Sequence, residues 1–389
     1  MGSLEWVAFG AEAFTGLVTI SGVAYGALAL WGAGAYSRDV RASRAGVAYA
    51  PPVTILKPVK GVDPRMYAGF VSHCVQQYEN AFEIVFGVSS LEDPAVAEIA
   101  RLRVEHPEVP IQLIECSARL GASGKVSNLV QMLPYARYEH VLVNDADIVV
   151  GPRYLAETMR GFGDATVGLV TAPYVGVAEG TVWSKLEAMG ISTDFMPGVL
   201  TARKLEGGIR FGLGSTLATT KTALASIGGF EALLDQLADD YEMGVRLAAK
   251  GYRVELAGEV VETTVPAYGM RGFVDHQLRW ARSTRDSRRG GYVGLGVTYV
   301  LPWAVLAVLA SGGALWSLAL LSLALFVRVT VALSVGVGLL RDTQVLRDLW
   351  LLPVRDFFGL FLWAWSYAGN TIVWRGERFR LRRGVLERV

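Results

Sequence analysis

Cysteine is scarce in this chain. Its 389 residues include only Cys74 and Cys116, which lack metal-ligand spacing and imply no disulfide framework. Both read as small buried hydrophobes rather than reactive thiols. An excess of either charge is also missing. There are 37 Lys and Arg against 36 Asp and Glu, for a net charge of +1, which gives no bulk electrostatic case for nucleic acid as a partner. No internal repeat or low-complexity segment occurs. No basic stretch precedes the first apolar run, so a secretory signal fits poorly.

Apolar residues, by contrast, are abundant: 52% of the chain is hydrophobic, with a mean hydropathy of +0.35. They concentrate at the two ends. Val7 to Trp31 carries Glu12 as its single charge and is long enough for one membrane span, which needs roughly 20 residues. Arg38, Arg41 and Arg44 follow, and the positive-inside rule then places residue 38 onward in the cytoplasm. Two more spans are expected near 292–310 and 314–340, split by Ser311-Gly312-Gly313. Arg328 lies within the second and must face protein or water. A third apolar segment, Leu349 to Ala368, contains Arg355 and Asp356, which could pair, and Trp363, Trp365 and Tyr367 suit an interface. Three complete C-terminal spans would put the basic tail on the outside, so an incomplete span is the favoured reading. The expected domains are a transmembrane helix at 1–36, a cytoplasmic domain at 50–290, membrane helices at 291–373 and a basic cytoplasmic tail at 374–389.

The middle of the chain alternates strand and helix patterns. Strands are expected at Val53–Leu56, Phe82–Val88, Ile111–Glu115 and the run Val141-Leu142-Val143, with helices over 65–80 and 95–105 and from the Gly121–Lys125 loop onward. That order predicts an α/β domain with a mostly parallel sheet flanked by helices. Further strands are expected at Val167–Ala172, after the glycine-rich turn Phe211–Thr216, and at Arg253–Leu256. Helical segments are expected within 181–203, from Asp239 to about Lys250, and around 274–282.

The chain turns on the stretch Glu139 to Val150, EHVLVNDADIVV. Asp145 and Asp147 follow a buried-looking strand, where ligands of open α/β sheets bind. Most D-x-D pairs are solvated loop acids, but at a strand's carboxyl end two acids can hold a hard divalent cation and leave positions for phosphate oxygens. Asp93 follows the second strand, and Asp239 and Asp240 begin a helix, where the dipole alone would favour them. Lys57 and Lys60 after the first strand, and Lys125 in its glycine-bearing loop, could meet phosphate. A nucleoside diphosphate sugar needs a cradle for its base and ribose, a cation for its diphosphate, and a base for the attacking alcohol. Strand one and the Asp93 turn could supply the first, Asp145, Asp147 and Lys125 the second, and Asp240 or Asp239 the third. Arg279 and Trp280 could complete the diphosphate site, since arginine grips phosphate bidentately.

The order Asp93, Asp145-Ala146-Asp147, Asp239-Asp240, Arg279-Trp280 resembles the D, D, D, (Q/R)xxRW signature of inverting glycosyltransferases with the GT-A fold. LKPVKGVDP at 56–64, EDPA at 92–95, GKVSNL at 124–129, ADDYEMG at 238–244 and WRGERFRLRRG at 374–384 are similar to ceramide glucosyltransferases. They resemble equally the bacterial hopanoid-associated glycosyltransferases of the same family. The resemblance runs from about residue 50 to the C-terminus. It implies that Asp93 contacts the uracil or ribose of a UDP-sugar and that Asp145 and Asp147 hold the diphosphate through Mg²⁺ or Mn²⁺. Asp240 would be the general base with Asp239 beside it, and Arg279 and Trp280 would sit at the diphosphate and acceptor mouth. His276 stands where the signature has Gln or Arg; it could donate to phosphate, with a charge that depends on pH. His73, His106 and His140 read as structural.

The implied activity is transfer of glucose or N-acetylglucosamine to a membrane lipid, ceramide or a hopanoid polyol, with inversion to a β-glycoside, by a multi-pass protein of a bacterial inner membrane. Residues 181–203, with Trp183, Phe195 and Met196, are the expected acceptor-facing surface, although such side chains more often belong to a core. Two rivals carry different tests. A processive polysaccharide synthase would make polymer from the same donor, and a non-catalytic nucleotide-sugar receptor would be indifferent to loss of Asp240.

Overall fold

The computed structural model describes residues 3–374, 377–382 and 384–388. Arg375, Gly376 and Arg383 of the basic tail motif therefore lie outside the described residues. The chain forms two compact units. One comprises Arg38–Val177, Glu206–Pro266 and the chain end from Gly384; the other comprises the N-terminus to Ser37, Ala178–Leu205 and Ala267–Arg383. Segments 178–205 and 267–290 thus belong with the helical unit.

The first unit is built on a sheet of seven strands: β1 (Val53–Pro58), β2 (Phe82–Val88), β3 (Ile111–Glu115), β4 (His140–Val143), β5 (Val167–Thr171), β7 (Leu217–Thr220) and β8 (Arg253–Leu256). β6 (Tyr174–Ala178) pairs separately with β9 (Val261–Val265). The sheet order is β3-β2-β1-β4-β7-β5-β8. β1 runs parallel to both β2 and β4, with Ile55 opposite Ile84 on one side and Leu142 on the other. Ile55, Leu56, Ile84, Val85, Val141, Leu142 and Val143 are fully buried, as strands covered on both faces require. Each contributes about 1.5–3 kcal/mol relative to exposure.

Five of the helices and strands read from the sequence match closely. β2, β3, β8 and the helix Ala95–Glu105 have the expected bounds, and the helix Asp239–Ala249 occupies its expected place, whereas the helix expected over 65–80 is the shorter Met66–Cys74. One strand departs from a parallel sheet. β7 is antiparallel to β4, with Leu217 opposite Val143. The glycine-rich turn 211–216 therefore enters β7 at the edge where β4 ends, which brings that turn to the carboxyl edge of the parallel strands.

Among the described residues two helices are long and apolar enough to cross a membrane, Trp6–Ala45 and Leu315–Leu339. The first runs further than the apolar count suggests, carrying Arg38, Arg41 and Arg44 within it. The pair Arg289–Thr298 and Val300–Ala310 is bent by 57° and makes a third only if it is one broken span. The last apolar segment forms the helix Leu352–Ser366, of 15 residues, short of the ~20 a full span needs.

Arg328 and Arg355 are buried within the protein. Arg328 donates from Nε to Asp356 Oδ1 at 2.9 Å and pairs with Asp194, while Arg355 Nε reaches Asp194 Oδ2 at 2.8 Å. The expected Arg355–Asp356 pair is replaced by these two, with Asp194 serving both arginines. Asp194 lies in a wide π turn, Ile191–Phe195, that joins the helices Val182–Gly190 and Met196–Leu205. Trp183 packs on Phe273, with ring centroids 5.6 Å apart, and Met196 is fully buried, so both are core, while Phe195 is exposed.

Candidate active site

Beyond Val143 the chain leaves the sheet through Asn144, which is buried and held on several sides. Its amide nitrogen donates to Ser215 O at 2.7 Å and Tyr154 Oη at 2.9 Å. His73 Nε2 lies 3.1 Å from the same amide group. Burial and the nearby Lys57 charge depress the His73 pKa to about 3, so the ring is neutral and structural, as expected. The next residues therefore leave from a fixed base.

Asp147 turns inward. Its Oδ2 accepts from Thr263 Oγ1 at 2.7 Å and Thr264 N at 2.8 Å, both on β9. Burial, reinforced by Asp145, raises its pKa. Asp145 is more open, with 42% side-chain exposure, and its Oδ1 lies 2.8 Å from Lys125 Nζ. Lys57 sits beneath this loop. It is fully buried and donates to the Asp145 carbonyl at 3.2 Å. Burial lowers its pKa to about 7, against the opposing pull of Asp147 and Asp145. It thus supports the backbone of the D-x-D loop, while Lys60 is exposed. Gly69 matters to the same loop: a Cβ there would lie 2.8 Å from the Ile148 carbonyl, so any larger residue would push the helix Met66–Cys74 away.

The second acidic pair opens the helix Asp239–Ala249, where the positive dipole end favours carboxylates. Gly212 N donates to the Asp240 carbonyl at 3.2 Å. A Cβ on Gly212 would lie 2.8 Å from that oxygen, and one on Gly214 would lie 3.1 Å from Asp240 Oδ2. The turn 211–216 is glycine-rich because it packs directly against Asp240.

Lys125 links the two pairs. Its Nζ is 2.8 Å from Asp145 Oδ1 and 3.7 Å from Asp239 Oδ2. The loop before it is tied down by Ala122 N donating to Asp235 Oδ1 at 2.9 Å and Ser123 N donating to Leu234 O at 2.9 Å. Burial opposes the Lys125 charge, but Asp145, Asp239 and Asp240 outweigh it and hold the pKa above the usual lysine value. Burial raises both Asp239 and Asp240. Repulsion from Asp239 adds to the second, which reaches about 6 with Lys125 opposing.

Asp93 sits at the same sheet edge but is differently engaged. Both its oxygens accept from Gly61 N at 3.0 Å, and Oδ1 accepts from Ala95 N at 2.9 Å. It ties the loop after β1 to the helix after β2, with Gly61 at φ +71°, a backbone glycine adopts freely.

His276, Arg279 and Trp280 lie in the helical unit, on the helix Met270–Ser287. His276 Nδ1 is 2.9 Å from Glu187 Oε2, and its ring centroid is 5.1 Å from that of Trp280. Glu187 is buried and also accepts from Gln277 Nε2 at 3.2 Å. Arg279 and Trp280 are half-buried. Thr263, Thr264, Asn144 and Glu187 were not singled out by sequence. Only Asn144, abutting the D-x-D, carried any signal.

Among the described residues no three His, Cys, Asp or Glu groups converge as a metal cluster. Asp145, 42% exposed and held through Oδ1 by Lys125, and Asp147, held through Oδ2 by Thr263 and Thr264, are oxygen donors of the kind a hard cation takes when phosphate oxygens and water complete its shell.

Residues 14–386 match the sequence profile of glycosyl transferase family 21. The chain is 24% identical over 352 residues to "Ceramide glucosyltransferase 1" of Caenorhabditis elegans, covering 86% of this chain and 72% of that one. It is 28% identical over 236 residues to "Ceramide glucosyltransferase 3" of the same organism, covering 60% of this chain and half the length of that relative. Among solved structures it resembles the mannosyltransferase PcManGT from Pyrobaculum calidifontis, solved with GDP-Man and Mn²⁺, at a TM-score of 0.54 and 20% identity, over 92% of this chain and 99% of that one. That likeness shows a GT-A fold, in agreement with the seven-stranded sheet and its acidic carboxyl edge. The profile spans nearly the whole sequence, and the chain belongs to glycosyl transferase family 21.

Proposed function

We propose that the chain transfers glucose or N-acetylglucosamine from a UDP-sugar to the hydroxyl of a membrane lipid, ceramide or a hopanoid polyol, giving a β-glycoside. The observation that carries this reading is the convergence of Asp145, Lys125, Asp239 and Asp240, drawn from three distant segments, at the edge where β4 ends. The ceramide glucosyltransferase relatives and the apolar helices support a lipid acceptor.

The acceptor oxygen attacks the anomeric carbon, the bond to the diphosphate breaks, and UDP leaves with the electron pair. One displacement inverts the centre. Asp240 takes the hydroxyl proton. Its pKa of about 6 keeps it mostly ionised at neutral pH, yet makes it a better base than an ordinary aspartate. Asp239 keeps Asp240 raised and shares Lys125. Asp145 and Asp147 would hold Mg²⁺ or Mn²⁺, which supplies Lewis-acid stabilisation of the leaving diphosphate. Lys60 and Asp93 are proposed donor contacts, and Lys57 acts by supporting the D-x-D backbone. His276, Arg279 and Trp280 remain proposed substrate residues of the helical unit. A multi-pass protein with its α/β unit in the cytoplasm, in a bacterial inner membrane, accords with the Arg38, Arg41 and Arg44 charges.

The test is incubation of purified protein with labelled UDP-glucose and UDP-N-acetylglucosamine and a panel of ceramides and hopanoid polyols, with products read by mass spectrometry. A single hexose on one lipid supports the reading. Polymer would point to a synthase, and no transfer to any lipid would sink it.

A further inference from the structure

Lys125 occupies an unusual position. It stands in the first turn of the helix Gly124–Met132, where the dipole disfavours a cation, and only 17% of its side chain is exposed. Its ammonium is in contact with Asp145 and close to Asp239. The loop that aims it is anchored at Ala122 and Ser123 to residues 234–235, just ahead of Asp239. A Cβ on Gly121 would lie 2.7 Å from Leu234 Cβ, so this anchoring depends on a glycine at that point. The arrangement is built to keep one cation between two carboxylates.

We propose that Lys125 is a resident counter-cation that makes Asp145 a poor divalent-metal ligand until donor arrives. The inference rests on the diphosphate-donor reading above. Before binding, the ammonium satisfies Asp145 and Asp239 and repels an incoming divalent ion. The donor's diphosphate offers Lys125 charged oxygens of its own, which frees Asp145. Cation and donor therefore bind together, and free cation alone binds weakly. No covalent step is involved.

Mn²⁺ binding to the purified full-length protein, without nucleotide, is measured by EPR for wild type, Lys125→Met, Lys125→Gln and Lys125→Arg. Removing a unit charge a few ångströms from the ion is expected to tighten Mn²⁺ binding by roughly tenfold or more in the Met and Gln variants. Arg, which keeps the charge, should stay near wild type. Adding Asp147→Asn to whichever neutral variant folds should abolish the gain, placing the ion at this loop. Calorimetry of UDP binding to wild type with Mn²⁺ present separates the two readings. Equal Mn²⁺ affinities in all variants, with UDP still bound, would overturn the role of Lys125 alone. Absence of UDP binding at any Mn²⁺ concentration would overturn the donor reading and this inference with it.

Discussion

In the helical unit, Arg328 and Arg355 face Asp194 and Asp356, two charges of each sign joined by hydrogen bonds. In the α/β unit, the four carboxylates Asp145, Asp147, Asp239 and Asp240 are set against the two cations Lys57 and Lys125. The first set is balanced in charge within itself, two of each sign. The second carries an excess of negative charge, held by the fold at a cost visible in the raised pKa values of Asp147, Asp239 and Asp240. Balance marks a structural cluster, whereas an imbalance kept at a sheet edge marks a place where ligands bring the missing charge.

The sharpest way to break the contrast is to remove one member from each cluster. Arg328→Met leaves Asp356 buried against an uncharged side chain. A loss of about 3–5 kcal/mol is expected, read as a fall in the thermal midpoint in detergent, and Arg328→Met combined with Asp356→Leu should recover much of it. Asp240→Asn should do the reverse. Turnover falls by roughly two decades while UDP-sugar binding persists in calorimetry, yet the protein gains on the order of 1 kcal/mol at pH 7, after discounting for partial exposure. The sign follows from linkage: a carboxylate raised from 3.8 to about 6 destabilises the fold fully above that value, and the penalty fades as pH falls from there towards 3.8. An Asp240→Asn protein less stable than wild type at pH 7 would contradict the imbalance.

A smaller effect is expected from pH. If Asp240 is the base, kcat/KM should fall about tenfold per unit below pH about 6, and a profile flat from pH 5 to 7 would assign the base elsewhere. The least effect is expected from Gly214→Ala, whose added methyl would press on Asp240 Oδ2 at 3.1 Å. A several-fold loss of turnover, on the order of the 1 kcal/mol such crowding costs, should come without loss of UDP binding.

Much of this was legible in the sequence because it depends on neighbours in the chain. Buried aliphatic runs marked β1, β2 and β4, and a strand ending in Asn-Asp-Ala-Asp placed the acids. What stayed hidden depends on distant pairing. Thr263 and Thr264 reach Asp147 across 116 and 117 residues, through a strand with no motif. Lys57 reads as an exposed strand-end lysine, since nothing local reveals that the D-x-D loop folds over it. Arg355 and Asp356 are adjacent and invite pairing, but adjacent residues on a helix point apart, and each finds its partner on another segment. β7 carries an ordinary strand pattern that says nothing of its direction.

The π turn at Ile191–Phe195 has a bearing on how the protein is made. Arg328 emerges from the ribosome 134 residues after Asp194 and 28 before Asp356. When that arginine is made, one carboxylate is already in the chain and the other follows within a helix or so of further synthesis. Shifting Asp194 by a single residue, by deleting one position from the wide turn, would rotate it away and leave Arg328 with Asp356 as its carboxylate partner. Packing of the helix Leu315–Val331 thus depends on a turn laid down well before it.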